Sequence, residues 1–145
     1  MEANDYQIGG SHYEKFKYQH WDFICDAKLH YLLGNAIKYL RWRDKDGIDD
    51  LRKCCHYLAK AEERGVYPPN LDRFESHLKR FSNQFEHDAD RNLALLICMG
   101  NYDGARNLIA RMVTEHTLPN TIVTTLKIEK LPSDSADKQL DFFKG

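Results

Sequence analysis

Three cations lie close together in this chain at helical spacing. Lys38, Arg41 and Lys45 are separated as i, i+3 and i+7, which would place them on one face of a continuous helix. Ammonium and guanidinium groups in a row offer charge-assisted hydrogen bonds to phosphate oxygens. The spacing predicts a site for a nucleotide phosphate. The competing interpretation is a solvated face whose cations pair with the acidic residues of 44–50.

Further side chains around this stripe suit the same ligand. Trp42 stands between two arginines, an awkward position for a core residue, and its indole could stack on a base. Asn35 precedes Lys38 by one helical turn and faces the same way. The predicted nucleotide-binding residues are His12, Asn35, Lys38, Arg41, Trp42, Arg43, Lys45 and Lys53.

Other kinds of chemistry have weaker signals. The closest grouping of metal ligands is Cys54-Cys55-His56, whose side chains point in different directions on a helix. No Walker or Rossmann glycine pattern occurs. We expect no metal site and no cofactor, except for Mg²⁺ that would arrive with a nucleotide.

Three short motifs follow one another in the first half of the chain. They read YQIGGSHY at residues 6–13, GNAIKY at 34–39 and GIDDLRK at 47–53. In this order they resemble the SaV-like family of small phage proteins, a family of unknown function whose domain also forms the C-terminal part of the T-odd podophage nucleotide kinase. The resemblance implies a phage accessory protein of nucleotide metabolism or replication. Whether the protein is an enzyme stays open, and the class implied if it is one is a nucleotide kinase-like phosphotransferase.

Composition limits the partners. The 145 residues carry a net charge of -1 with a pI of about 6.6, which argues against binding of duplex nucleic acid through bulk charge. No apolar run approaches the roughly 20 residues that span a bilayer. The first residues are acidic and polar, unlike a signal peptide. We therefore expect a protein of the host cell cytoplasm, with reduced cysteines and no membrane partner.

Apolar periodicity predicts helices over most of the chain. Residues 29–43 and about 48–64 read as two antiparallel helices joined by a break at Gly47. Beyond Gly65 and two prolines, apolar residues recur in steps of three and four, which is typical of a heptad seam: Leu71, Phe74, Leu78, Phe81 and Phe85. Its candidate partner helices are residues 89–99 and 102–113. Because the seam presents much apolar surface, we also expect a homo-oligomer.

The helical period ends after Pro119. Residues 121–131 alternate and are rich in β-branched side chains, so they form a candidate strand that would pair with residues 6–8 or a partner chain, or else an extended loop. The fold class predicted is mainly α: a small helical N-terminal domain (1–65), a helical bundle region (66–118), one candidate short strand (119–131) and a flexible tail (132–145).

The tail carries a second motif. Gln139, Leu140, Asp141, Phe142 and Phe143 resemble the pentapeptide with which bacterial replication proteins dock on the β sliding clamp. The expected partner is thus a host sliding clamp or another host protein. Two alternatives stay open. The apolar side chains could fold back onto the protein's own core, and the protein could be a non-enzymatic inhibitor of a host replication or defence protein.

The double substitution Leu140→Ala with Phe143→Ala separates docking from fold-back. Docking predicts loss of micromolar binding, about −8 kcal/mol, to a bacterial sliding clamp, with the melting temperature unchanged. Fold-back predicts a lower melting temperature and no change in partner binding. Titration calorimetry and thermal denaturation of this one variant distinguish the two models. Asp141→Ser is the matched control, expected to leave both the clamp affinity and the melting temperature nearly unchanged.

Overall fold

The computed structural model describes residues 2–5, 16–44 and 47–117. These residues form six α-helices: α1 (His20–Ala27), α2 (Tyr31–Lys38), α3 (Ile48–Glu63), α4 (Glu75–Ser82), α5 (Asp88–Cys98) and α6 (Tyr102–Thr117). Short 3-10 turns lie at Ala3–Asp5, Tyr39–Asp44 and Leu71–Arg73. The predicted mainly α fold is confirmed. Within the same residues, no helix combines the length and apolar character needed to cross a membrane.

The prediction of helix 29–43 is wrong for its last third, residues 39–43. The α-helix ends at Lys38, and the chain continues as the 3-10 turn Tyr39–Asp44, in which Arg41 has φ −86° and ψ 25°. Leu40, Arg41 and Trp42 are all buried although they are consecutive. One face of a surface α-helix cannot bury three consecutive residues. Lys38 and Arg41 therefore do not share a helical face, and Lys45 lies outside the described residues.

Helices α2 and α3 pack against each other as expected. Helix α3 buries Leu51, Cys54, Leu58 and Ala61, and Cys55 is half-buried. The turn before α3 needs a glycine, because Gly47 has φ 62°. Its N–H donates to the carbonyl oxygen of Trp42 at 2.9 Å. That bond fixes the path of the chain from the 3-10 turn into α3.

The aromatic seam has a partner that the sequence did not indicate. Phe74, Leu78, Phe81 and Phe85 are buried, and the ring of Phe81 stacks on Phe23 of α1 at 4.8 Å between centroids. Helix α4 thus packs on α1 as well as on the expected α5. Because the chain covers its own seam, the seam gives no reason for self-association. The expectation of a homo-oligomer now depends on segment 121–131, which lies outside the described residues.

One continuous hydrophobic core runs from Tyr18 to Met112. Helix α2 contacts α5 and α3 contacts α6, so helices on both sides of Gly65 contribute to it. The domain boundaries stay a prediction. The candidate strand 119–131 and the tail 132–145 also lie outside the described residues.

A close approach of α1 and α2 leads to a stability prediction. A Cβ atom on Gly34 would lie 3.1 Å from Cγ2 of Ile24, closer than most side-chain contacts. We expect Gly34→Leu to lower the free energy of unfolding by about 1–3 kcal/mol through overpacking, measured by urea denaturation. The control is Ala59→Leu at an exposed position of α3, expected to change it by less than about 0.5 kcal/mol. Equal effects would contradict the constraint at Gly34.

Candidate functional site

A buried carboxylate organises the region around Trp42. Asp90, in the first turn of α5, is 3% exposed. Its Oδ1 accepts a hydrogen bond from the indole Nε1 of Trp42 at 3.1 Å, and its Oδ2 accepts one from Nε of Arg43 at 2.8 Å. The guanidinium carbon of Arg43 also lies 4.2 Å from the centre of the Trp42 ring. One carboxylate thus ties the 3-10 turn to α5.

The expectation that Trp42 stays out of the core is wrong. The ring is 2% exposed, and its edge contacts His116 near the end of α6 at 5.5 Å between centroids. Burial is tolerated because Asp90 satisfies the indole N–H and Arg43 covers the ring from the solvent side. Because the ring is only 2% exposed, its faces are not accessible, and Trp42 offers no platform for a base.

The side chain of Arg41 is also held by a carboxylate and an aromatic ring. Its Nε and one terminal nitrogen donate to the same oxygen of Asp44, at 3.0 and 2.6 Å. The guanidinium carbon lies 3.9 Å from the centre of the Phe16 ring. Arg41 is 7% exposed as a result. Arg41 thus pairs with a nearby carboxylate, as the competing interpretation expected, but it is buried and does not lie on a solvated face.

These two arginines line one cleft of about 400 Å³. Its walls come from the segment before α1, the 3-10 turn Tyr39–Asp44, the turn between α4 and α5, and the first turn of α5. The lining residues are Phe16, Lys17, Leu40, Arg41, Arg43, Asp44, Gln84, Phe85, Glu86, His87 and Asp90. The cleft opens at the N-terminal end of α5, where the helix dipole favours negative charge.

The predicted site residues fall into two separate groups. Arg41 and Arg43 line the cleft, with Trp42 buried behind them. Lys38 and Lys53 instead converge on the ring of Tyr39, with their Nζ atoms 5.7 and 5.5 Å from its centre.

The remaining predicted residues add little to either group. The side chain of Asn35 donates to the backbone oxygen of Tyr31 at 2.9 Å, one turn before it on α2. His12 and Lys45 lie outside the described residues, as does the motif Gln139 to Phe143.

The sequence did not indicate several residues that shape the cleft. Gln84 clamps the segment before α1, because its Oε1 accepts from the backbone N–H of Tyr18 at 2.9 Å and its Nε2 donates to the Tyr18 oxygen at 2.8 Å. Asp90 and His87 stand at an ordinary helix start. No local pattern distinguishes a buried carboxylate at such a position from the many exposed ones, so only the tertiary contacts reveal it.

The chemical groups in the cleft suit binding of an anion. Lys17, Arg41 and Arg43 supply N–H donors, and Phe16 and Phe85 supply an apolar wall. The four cysteines are free, and burial raises the pKa of the Cys54 and Cys98 thiols, so neither is an activated nucleophile. In the part of the chain that is described, no three His, Cys, Asp or Glu residues are placed to hold a metal ion.

Comparison with known proteins gives one match. Residues 9–59 match a family described as a protein of unknown function (DUF3310). This span contains all eight predicted nucleotide-binding residues, whereas Gln84, His87 and Asp90 lie beyond it. The expected similarity of the N-terminal region to a family of unknown function is confirmed. No curated protein and no solved structure matches the chain.

The Asp90 network generates a prediction for stability. Asp90→Ala removes the acceptor for both Trp42 and Arg43, and hydrogen bonds to charged groups contribute about 1.5–3 kcal/mol each. We expect a loss of about 2–4 kcal/mol in the free energy of unfolding, measured by urea denaturation with Trp fluorescence. Asp88→Ala is the control, because Asp88 is exposed in the same helical turn. If the two variants lose the same stability, Asp90 does not have the role described.

Proposed function

We propose that the protein binds the phosphate of a mononucleotide in the cleft at the N-terminal end of α5. The observation that carries this proposal is the placement of Arg41 and Arg43 in the wall of that cleft, with Lys17 and His87 beside them. Each residue type donates to phosphate, and arginine can do so with two parallel N–H bonds.

The carboxylate partners leave donor capacity on both arginines. Asp44 engages Nε and one terminal nitrogen of Arg41, and Asp90 engages the same two types of nitrogen on Arg43. A guanidinium carries five N–H groups on three nitrogens, so a phosphate can be added without displacing the carboxylate. The carboxylates then fix the orientation of the guanidinium groups before the ligand arrives, which lowers the entropic cost of binding.

The size and walls of the cleft fit a small nucleotide. Its volume of about 400 Å³ lies toward the lower end of ligand pockets, which span roughly 300–1,000 Å³. The rings of Phe16 and Phe85 meet edge to face at 4.9 Å and form a rigid apolar wall against which a sugar or base could pack.

The charge balance of the cleft favours a monophosphate over a triphosphate. Lys17, Arg41 and Arg43 are opposed by Asp44, Glu86 and Asp90, so three cations face three carboxylates. The dipole of α5 adds about half a unit charge at its N-terminus. This is too little to compensate a triphosphate, so the ligand we propose carries one phosphate and binds with moderate affinity.

At the level of the cell, we propose a phage accessory protein of nucleotide metabolism or replication that also docks on a host sliding clamp. The docking half of this proposal depends on the motif at residues 139–143 and on the linker composition before it. The nucleotide half depends on the cleft, so the two can fail independently.

Titration calorimetry with deoxynucleoside monophosphates tests the cleft. We expect Arg43→Gln and Lys17→Gln each to weaken binding about 10- to 100-fold, the equivalent of one lost charge-assisted contact. Lys17 is exposed, so its replacement should leave the fold intact even if Arg43→Gln lowers stability.

The matched control for this experiment is Arg111→Gln, because Arg111 is exposed on α6 and is not among the residues that line the cleft. Its affinity for each nucleotide should equal that of the unchanged protein. Absence of binding to every monophosphate at millimolar concentration would overturn the nucleotide proposal. A sliding clamp that still binds in that case would favour the non-enzymatic inhibitor.

A further inference from the structure

A second surface combines aromatic rings with cations on the outer side of α2 and α3. Tyr31, Tyr39 and Tyr57 form a continuous row of rings, which we call the tyrosine platform. The Tyr39 and Tyr57 rings stack at 6.0 Å with an interplanar angle of 21°, and Tyr31 meets Tyr57 edge to face at 6.5 Å. Tyr31 is 70% exposed, an unusual amount for so large an aromatic side chain.

Two lysines from different helices extend over the same end of the platform. Lys38 closes α2 and Lys53 lies in α3, and both ammonium groups sit within 6 Å of the Tyr39 ring centre. Lys53 also pairs with the buried Asp50 at 3.6 Å. An ammonium group has three donors, so it can serve a carboxylate and a phosphate oxygen together.

We propose that the tyrosine platform, with Lys38 and Lys53, binds single-stranded nucleic acid. Proteins that bind single strands without sequence preference combine stacking rings with cations that follow the backbone. Here Tyr31 offers the exposed ring, and Lys38 and Lys53 offer the cations beside it. The proposal concerns residues that do not line the cleft, and it does not depend on nucleotide binding there.

The arrangement favours a single strand over other occupants. Stacking requires bases whose flat faces are accessible, which a duplex does not offer. Burial, followed by the proximity of Tyr31 and Tyr39, raises the pKa of the Tyr57 phenol, so this part of the row stays uncharged at neutral pH. Lys38 and Lys53 are the cations that lie over the Tyr39 ring, so these two lysines are the proposed phosphate contacts.

Two phosphate contacts predict a specific dependence on salt. For single strands, the logarithm of the association constant falls with the logarithm of salt concentration by about 0.7 for each contact. The expected slope is about −1.4. Lys38→Gln should reduce it to about −0.7, while Tyr31→Ala should weaken binding about tenfold and leave the slope unchanged.

The experiment is fluorescence anisotropy of the full chain with a labelled short oligo-deoxythymidine, at salt concentrations from about 50 to 200 mM. An oligo-uridine arm establishes whether DNA or RNA is preferred, and binding of either supports the proposal. Tyr67→Ala is the matched aromatic control, because Tyr67 is 68% exposed between α3 and α4. Lys60→Gln is the matched cation control on α3, where Lys60 is 53% exposed.

The proposal predicts weaker binding for Tyr31→Ala and Lys38→Gln and unchanged binding for both controls. It is overturned if neither oligonucleotide binds at about 100 μM protein, which corresponds to a binding free energy near −5.5 kcal/mol. It is also overturned if the control variants weaken binding equally, or if a duplex of the same length binds as tightly as the single strand. Loss of oligonucleotide binding in Arg43→Gln with no change in Tyr31→Ala would assign the strand to the cleft and also overturn it. Calorimetry with monophosphates on Tyr31→Ala, expected to be unchanged, keeps this result separate from the test of the cleft.

Discussion

The interaction on which this part of the fold depends is the buried carboxylate of Asp90. It accepts from both the Trp42 indole and the Arg43 guanidinium, and so joins a turn in the first half of the chain to a helix in the second half. An unpaired carboxylate at 3% exposure would be strongly unfavourable. Two hydrogen-bond donors must therefore lie next to this carboxylate in the folded chain. The end of the α-helix at Lys38 and the burial of the three residues 40–42 bring Trp42 and Arg43 to this position.

That early end of α2 also explains why the basic residues form two groups. In a continuous helix, Lys38 and Arg41 would have formed one row of donors. In the 3-10 turn, Arg41 faces Asp44 and Phe16 in the cleft, whereas Lys38 stays on the outer face of α2 above Tyr39. In this turn the side chains contact Asp44, Asp90 and Phe16, so tertiary contacts override the local helical period here.

The sequence predicted features that depend on local pattern and missed those that depend on distant partners. The helical class, the packing of α2 with α3 and the inward residues of α3 follow from the spacing of apolar side chains. The pairing of α4 with α1 does not, since the stacking of Phe23 on Phe81 joins residues that are far apart in the chain. For the candidate sites, residue type identified Arg41, Arg43, Lys38 and Lys53 as cations. Their division between cleft and platform required the structure.

The family match has a structural consequence of its own. Residues 9–59 supply Phe16, Arg41 and Arg43, yet the opposite wall of the cleft comes from Gln84 to Asp90. Without α5, the Trp42 indole and the Arg43 guanidinium would lose their shared acceptor, and without α4 the ring of Phe23 would lose its stacked neighbour. The matched segment therefore cannot form this cleft alone. The platform, in contrast, is built from residues of α2, the following turn and α3 that all lie within the match. The cleft therefore combines residues of the matched segment with residues that follow Gly65, whereas the three tyrosines and two lysines of the platform all come from the matched segment.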